Sequence, residues 1–303
     1  MSDATTSVRP DWVDDALFPF ESRFIEIDGH TVHYVDEGSG PTLLMLHGNP
    51  TWSFLWRDVI GALRADYRCI ALDYPGFGLS TAAPGYRYYP EEHADIVAGF
   101  VDTLGLEDIT LVGQDWGGMI GLAVAERRPG VFNRLVLANT WAWPVNGSLH
   151  FEGFSRAVGG LAGRFLARQF NLVVKAFIPT GHRRRKPSAA EMNHYLRAMD
   201  TPDRRHASAV FPNRVLASRD FFAEVEAGLP DLAHLPTLII WGDADIAFRP
   251  QERERLEATF PDHTTVIVEG AGTYVESDAP EEFVAAFRDW AESNPSHADD
   301  ANP

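Results

Sequence analysis

Apolar residues recur with two different periods along the chain, and these periods predict alternating strands and helices. Residues 23–27 and 31–35 alternate apolar and polar side chains around the turn Asp28-Gly29, which is typical of a β-hairpin. Continuous apolar runs predict strands buried on both faces, as in parallel sheets. Apolar residues spaced three and four apart predict helices. The predicted strands are 42–46, 68–72, 109–114, 134–138, 237–241 and 264–268, and the predicted helices are 54–63, 90–104, 116–128 and 280–290.

The alternation of strand and helix stops near residue 140 and returns at residue 237. Between these points the pattern is helical and rich in aromatic residues, with no convincing strand. Because strand-helix alternation builds a parallel sheet covered by helices, we predict an α/β core from residues 1–140 and 224–292. Residues 141–223 then form an inserted helical cap, and residues 293–303 a mobile polar tail.

Composition narrows the possible partners and cofactors. The chain has 303 residues, of which 45% are apolar and 23% charged, as in soluble globular proteins. Its formal net charge of -17 argues against nucleic acid and anionic membranes as partners. We expect a cytoplasmic protein, because neither a signal peptide nor a long apolar span is present. No metal cluster, phosphate loop or dinucleotide fingerprint occurs, so we predict no metal and no organic cofactor. The sequence does not indicate the oligomeric state.

The segment Gly113-Gln-Asp-Trp-Gly117 carries the most specific chemistry in the sequence. It lies between a predicted strand and a predicted helix, and its glycines suit the tight corner of a nucleophile elbow. The residue at the apex is Asp115, and a carboxylate there would attack carbon to form an ester. Alternatively, Asp115 is an ordinary helix N-cap in a turn.

Four motifs together resemble the signature set of the haloalkane dehalogenases, a branch of the α/β-hydrolases. They occur in the expected order, and the resemblance covers residues 17–290. It implies an α/β-hydrolase fold with a mostly parallel central sheet, flanking helices and an inserted helical cap. Since each motif follows a predicted strand, all four should converge on one crevice. The motifs are His47-Gly-Asn-Pro50, Asp73-Tyr-Pro-Gly-Phe-Gly-Leu-Ser80, Gln114-Asp-Trp-Gly-Gly118 and Trp241-Gly-Asp-Ala-Asp245.

The resemblance assigns roles to three residues. Asp115 would displace halide from a small apolar halogenated substrate held under the cap. The side-chain amide of Asn49 and the indole N–H of Trp116 would bind the halide ion, and the backbone amides of the same residues would form the oxyanion hole. The alternative is that Trp116 is a packing aromatic and Asn49 a turn residue before Pro50.

The remaining catalytic positions depart from the usual pattern. After the earlier of two possible strands stands Asn139, so the carboxylate that orients the base would be Asp245, with Asp243 as the second choice. Asn49 and Trp116 with this late aspartate resemble the third subgroup of the family. At the place of the catalytic histidine stands Thr273, whose hydroxyl cannot accept a proton from water near neutral pH. We therefore expect alkylation of Asp115 with impaired hydrolysis of the ester.

Other residues are expected to play structural parts. His47 should brace its loop, and Glu276 should be exposed. Residues 183–186 should form a solvated loop, and the cap histidines are poor substitutes for the missing base. Several aromatic residues would suit an apolar pocket, although we expect most of them to belong to the core: Trp141, Trp143, Phe151, Phe154, Phe177, Phe211 and Phe248. The cap histidines are His150, His182, His194 and His206.

Three functional hypotheses follow from these residues. The first is a haloalkane dehalogenase with an impaired second step. The second is a related epoxide hydrolase, which would need two cap tyrosines where the cap offers only Tyr195. The third is a non-turnover protein that binds its ligand covalently on the same scaffold. A serine esterase is excluded by Asp115 at the elbow.

Overall fold

An eight-stranded, mostly parallel sheet forms the centre of the protein in a computed structural model that describes residues 8–296. The strand order is β1-β2-β4-β3-β5-β6-β7-β8. β2 is antiparallel to both β1 and β4, and all other neighbours are parallel. The strands are β1 (Arg23–Ile27), β2 (His30–Glu37), β3 (Thr42–Leu46), β4 (Arg68–Leu72), β5 (Ile109–Asp115), β6 (Phe132–Thr140), β7 (Thr237–Gly242) and β8 (His263–Val268).

Twelve α-helices accompany this sheet within residues 8–296, and a short 3₁₀ helix, Ser53–Trp56, precedes the first. They are α1 (Arg57–Leu63), α2 (Pro90–Leu104), α3 (Trp116–Arg127), α4 (Leu149–Gly159), α5 (Leu161–Phe170), α6 (Leu172–Gly181), α7 (Ala189–Ala198), α8 (His206–Ala217), α9 (Arg219–Leu232), α10 (Pro250–Thr259), α11 (Val275–Asp278) and α12 (Pro280–Ser293). The predicted α/β-hydrolase fold is confirmed.

Burial explains why the apolar runs in the sequence predict the strands of the sheet. All seven residues of β5, a central strand that pairs with β3 and β6, are buried, and α3 packs on it. Helix α2 has clear end signals. The Glu92 side chain accepts a hydrogen bond from the Tyr89 amide at 3.0 Å, and the helix stops at Gly105, whose φ is 57°.

Helices α4 to α9 lie between β6 and β7 in the chain, in the region where the sequence predicts a cap. The last of them, α9, packs on α3 of the core. The predicted return to the core at residue 224 therefore falls inside α9, and the domain boundaries remain a prediction.

The predicted tail begins at Ser293, the last residue of α12. Residues 294–296 follow it, and residues 297–303 of the predicted tail lie outside the described residues. Across residues 8–296, no helix is both long and apolar enough to cross a membrane.

Candidate active site

Asp115 lies at a strained corner between β5 and α3. It is the last residue of the strand, the helix begins at the next residue, and its φ of 52° and ψ of -124° are rare for a residue other than glycine. The corner is tight because β3 runs close by. A Cβ atom at Gly117 would collide with the carbonyl oxygen of Leu46, and one at Gly113 with the backbone of Gly118. The glycines are therefore needed for this geometry.

The Asp115 carboxylate is buried but receives hydrogen bonds. The Asn49 amide donates to Oδ2 of Asp115 at 3.0 Å. Burial raises the pKa of Asp115 well above its usual range; the bond from Asn49 opposes this, the charge of Asp245 adds to it, and a bond from the Trp116 amide opposes it. The backbone amides of Asn49 and Trp116 are therefore placed to stabilise negative charge at the Asp115 carboxyl group.

A cavity of 240 Å³ lies above Asp115, and its wall is mostly aromatic and aliphatic. Core and cap both contribute. Of the seven aromatic residues considered for a pocket, Trp143 and Phe211 are buried away from this wall, and the ring centre of Phe211 lies 4.7 Å from that of Trp116. The other five line it: Trp141, Phe151, Phe154, Phe177 and Phe248.

Asn49 and Trp116 both line the same cavity, beside Asp115. The Asn49 side-chain amide donates a long bond, 3.4 Å, to the carbonyl of Ser208, and Oδ1 of Asn49 has no hydrogen-bond partner in the described part of the chain. The Trp116 ring is fixed edge-on against Trp141, with the ring centres 5.0 Å apart. The structure thus brings together the two proposed halide donors and the proposed nucleophile.

Asp245 and Thr273 form a hydrogen-bonded pair next to this group. The Thr273 hydroxyl donates to Oδ1 of Asp245 at 2.7 Å, and the side-chain amide of Asn139 donates to Oδ2 at 2.8 Å. Burial raises the pKa of Asp245, although these bonds oppose the rise. The second-choice carboxylate, Asp243, instead accepts a bond from the Gly270 amide at an exposed turn.

Two of the histidines considered in the sequence have different surroundings: His47 holds its own loop, and His150 lies on the cavity wall. Nδ1 of His47 lies 2.8 Å from the Gly48 carbonyl, and Nε2 accepts a bond from the Tyr74 amide, so His47 does brace its loop. His150 lies on the cavity wall, where its Nε2 contacts the Ala247 carbonyl at 3.0 Å. No local pattern indicates this position of His150, since it depends on how α4 packs.

Glu276 is buried, and the expectation that it is exposed is wrong. It lies on α11, completely inaccessible to solvent, and neither carboxyl oxygen has a hydrogen-bond partner among the described residues. The reason is that this one-turn helix packs beneath the 3₁₀ helix Ser53–Trp56. Burial raises the pKa of Glu276 well above its usual range, and nearby carboxylates add to the effect.

Asp278 joins the cap to the loop that carries Thr273. Its carboxylate accepts bonds from the amides of Arg183 and Arg185 at 2.8 Å and Arg184 at 3.0 Å, and from the Gly272 amide at 2.8 Å. The loop 183–186, expected to be solvated, therefore has a fixed backbone. Sequence reasoning missed Asp278 because backbone donors carry no residue signal.

The structure describes no metal site within residues 8–296, since no three His, Cys, Asp or Glu side chains are grouped to hold an ion.

Comparison with known proteins gives consistent results. The family described as alpha/beta hydrolase fold matches residues 41–275. Haloalkane dehalogenase 2 of Mycobacterium tuberculosis is 44% identical over 276 residues, which cover 90% of this chain and 96% of that protein. The cis-3-alkyl-4-alkyloxetan-2-one decarboxylase of Shewanella oneidensis is 30% identical over 298 residues, which cover 95% of this chain and 94% of that protein.

Among solved structures, a putative ancestral haloalkane dehalogenase is 28% identical with a TM-score of 0.80, covering 89% of this chain and 98% of its own. The haloalkane dehalogenase DbeA from Bradyrhizobium elkani is 25% identical with a TM-score of 0.82, covering 90% of this chain and 98% of its own.

Proposed function

Because the chain belongs to the α/β-hydrolase family and is a homologue of the haloalkane dehalogenases, we propose that it cleaves carbon–halogen bonds with Asp115 as the nucleophile. One observation carries the proposal: the Asp115 carboxylate lies on the wall of an apolar cavity, with Asn49 and Trp116 beside it. Such a cavity suits a small uncharged haloalkane. The pairing of these residues with Asp245 resembles the pattern of the third dehalogenase subgroup.

In the first step an oxygen of Asp115 attacks the carbon that bears the halogen. A carbon–oxygen bond forms, the carbon–halogen bond breaks, and its electron pair leaves with the halide. An anion in an apolar cavity is strongly destabilised unless it is hydrogen-bonded, so the amide of Asn49 and the indole N–H of Trp116 stabilise the leaving halide. No base is needed for this step.

In the second step a water molecule attacks the carbonyl carbon of the ester. The backbone amides of Asn49 and Trp116 stabilise the resulting oxyanion. The water must lose a proton, but the hydroxyl of Thr273 already donates to Asp245 and cannot act as a base. General base catalysis contributes roughly 10²–10⁴-fold, so hydrolysis is slowed by about that factor and the alkyl ester accumulates.

Intact-protein mass spectrometry after incubation with 1-bromobutane tests this function. We expect one butyl group bound per chain, located on Asp115, with release of one bromide per chain. The Asp115→Asn variant should show neither. Sustained bromide release without an adduct would show that another group acts as base. Absence of both adduct and bromide with 1-bromobutane and 1,2-dibromoethane would overturn the proposal.

A decarboxylase is the second candidate, and Thr273 is the observation that favours it. Two relatives named as oxetanone decarboxylases are 30% and 32% identical to this chain. Attack of Asp115 on C4 of such a four-membered lactone would break the C4–O bond and release a carboxylate in place of halide. Loss of CO₂ would then form the alkene and expel Asp115. This sequence of steps consumes no water and needs no base.

A cis-3,4-dialkyl oxetan-2-one distinguishes the two candidates. Formation of the alkene over many turnovers, while 1-bromobutane gives at most a single turnover, would favour the decarboxylase. No alkene together with the butyl adduct would favour the dehalogenase.

An epoxide hydrolase would need tyrosines over the cavity, which this site supplies poorly. Tyr195 is buried away from the wall, and Tyr274, on the core side, is the tyrosine that lines it in the described structure. A non-turnover covalent binder, in contrast, would share its first step with the dehalogenase. The adduct experiment therefore measures covalent binding directly.

A further inference from the structure

The charge of this protein is distributed very unevenly. Residues 153–190, which run from α4 to the start of α7, contain eight of the 26 Lys and Arg residues and none of the 43 Asp and Glu residues. The stretch therefore carries a formal charge of +8, and the rest of the chain carries -25. Both lysines of the chain, Lys175 and Lys186, lie in it.

Helix α5, in the middle of this stretch, exposes large apolar side chains. Its buried residues are Gly163 and Ala167, whereas Leu161 is 84% exposed, Phe165 59% and Phe170 58%. A surface helix normally turns its large apolar residues towards the core. In α5 they face outward instead.

Neighbouring residues extend this apolar surface. Leu166 in the middle of α5 and Leu172 at the start of α6 are also exposed. We call the surface formed by Leu161, Phe165, Leu166, Phe170 and Leu172 the cap face. Exposed apolar patches with a polar rim mark interaction sites, because water contact with such side chains is unfavourable.

The cap face lies close to the cavity. Phe177 of α6 lines the cavity and also packs against the small cluster that contains Ala167 of α5. An apolar molecule that reaches the cap face would therefore be near the cavity wall.

We propose that the cap face docks on the surface of an anionic lipid bilayer. Leu161, Phe165 and Phe170 would insert at the level of the headgroups, and the positive charges of Arg164 and Lys175 would bind lipid phosphates. An outward apolar arc bordered by basic residues, in a stretch free of acidic ones, is the composition of an interfacial helix.

The charge also argues against a second copy of this chain as the occupant. A symmetric dimer brings the same surface of each copy together, so Arg164 and Lys175 of one copy would face those of the other, and neither α5 nor α6 carries an acidic residue to pair with them.

The negative net charge does not oppose such docking. Charges in water are screened over a Debye length of about 10 Å at 0.1 M salt, so a bilayer responds to the charges nearest to it. The argument against anionic membranes from a net charge of -17 treats the charge as uniform along the chain, whereas residues 153–190 carry no acidic residue.

Vesicle flotation tests this inference. The full chain is mixed with vesicles of phosphatidylcholine alone or with about one third phosphatidylglycerol, at low salt. We expect it to float with the anionic vesicles and to be released by high salt. A Phe165→Ser/Phe170→Ser variant and an Arg164→Glu/Lys175→Glu variant should each lose at least about tenfold in partitioning.

The matched control is Ile267→Ser, which removes an apolar side chain that is 50% exposed on β8. It should float like the unmodified chain. Adduct formation with 1-bromobutane in vesicle-free buffer should be unchanged in all variants, which shows that they are folded.

Two results would overturn the inference. The first is that the unmodified chain fails to bind anionic vesicles, or that the Phe165→Ser/Phe170→Ser variant binds them equally well. The second is that light scattering finds a dimer, that this variant abolishes it, and that vesicles bind neither protein. In that case the cap face is an interface between copies.

Discussion

The hydroxyl of Thr273 donates a 2.7 Å hydrogen bond to Oδ1 of Asp245. The carboxylate that would orient an imidazole is thus in place, buried, and held on its other oxygen by Asn139. What position 273 lacks is a group that can accept a proton near neutral pH. On the proposed function, the site would therefore support displacement at carbon but would lack a base at position 273 for hydrolysis of the ester.

Replacing Thr273 by histidine should restore turnover. The new imidazole can donate to Asp245 from one nitrogen and accept a proton from water at the other. We expect Thr273→His to raise steady-state bromide release by roughly 10²–10⁴-fold, with loss of the accumulated adduct. The Thr273→His/Asp115→Asn variant serves as the inactive control. A single burst of bromide from Thr273→His would contradict the assigned role.

The rate of adduct formation should rise with pH. Only the ionised carboxylate is a nucleophile, and burial raises the pKa of Asp115 above its usual range. The nucleophilic form is therefore lost at a higher pH than for an ordinary aspartate. Rates of the bromide burst, measured by rapid quench from about pH 5 to about pH 9, should increase over part of this range. A rate independent of pH throughout would show that Asp115 is fully ionised.

Removing the indole donor should slow the first step. We expect Trp116→Phe to reduce the burst rate by roughly 10²-fold, because one donor to a developing anion typically contributes about that much. Trp143→Phe is the matched control, since Trp143 is buried away from the cavity wall. Equal burst rates in both variants would show that Trp116 only packs.

Glu276 should make the folded protein less stable as the pH rises above the usual pKa of a glutamate. Its folded-state pKa is raised, so the folded state holds a proton that the unfolded chain releases, and stability falls as pH rises from the unfolded pKa towards the folded one. We expect Glu276→Gln to increase the free energy of unfolding, and to do so more at about pH 8 than at about pH 5.

Urea denaturation at both pH values measures this difference. Glu281→Gln, at an exposed position of α12, is the control and should change neither value. A Glu276→Gln variant that is less stable at both pH values would mean that the carboxylate is ionised and bound in the folded protein.

Asp278→Asn should loosen the connection between cap and core. Burial alone would raise the pKa of Asp278, but the amides of Arg185, Arg183, Gly272 and Arg184 outweigh it and hold the pKa below its usual range. Hydrogen bonds to a charged group contribute about 1.5–3 kcal/mol, so we expect a loss of roughly that size at neutral pH.

The stability supplied by Asp278 is present above its unfolded pKa and is lost as pH falls through the lower folded value, so the two proteins should converge in acid. Calorimetry checks this, with Asp289→Asn at an exposed site as control. An unchanged melting temperature in Asp278→Asn would contradict the role.

Local pattern was enough to predict most of the fold. Strands 42–46 and 68–72 and helix 90–104 have the predicted bounds, because buried strands and capped helices leave strong local signals. The corner at Asp115 could also be predicted, since the glycines flank it in one short motif, although the contact that requires Gly117 comes from Leu46 on another strand. The residues of the proposed site come together as the motifs imply, although their roles remain predictions.

Features that depend on packing between distant segments of the chain could not be predicted from the sequence. The sequence predicts that Glu276 is exposed, because nothing near it in the sequence indicates that α11 packs against the distant 3₁₀ helix Ser53–Trp56. His150 reaches the cavity wall only through the arrangement of α4 over the core. The outward direction of α5 was equally hidden, because an amphipathic pattern does not say which of its faces meets the protein.

The single carboxylate of Asp278 limits how freely this protein could exchange its cap. It accepts bonds from the backbone of loop 183–185 and from Gly272, the residue next to Thr273. A cap transplanted from a relative with a shorter or differently folded loop would leave a buried anion without its donors and would release the segment that sets position 273. A chimera should therefore exchange loop and carboxylate together, as one inherited unit.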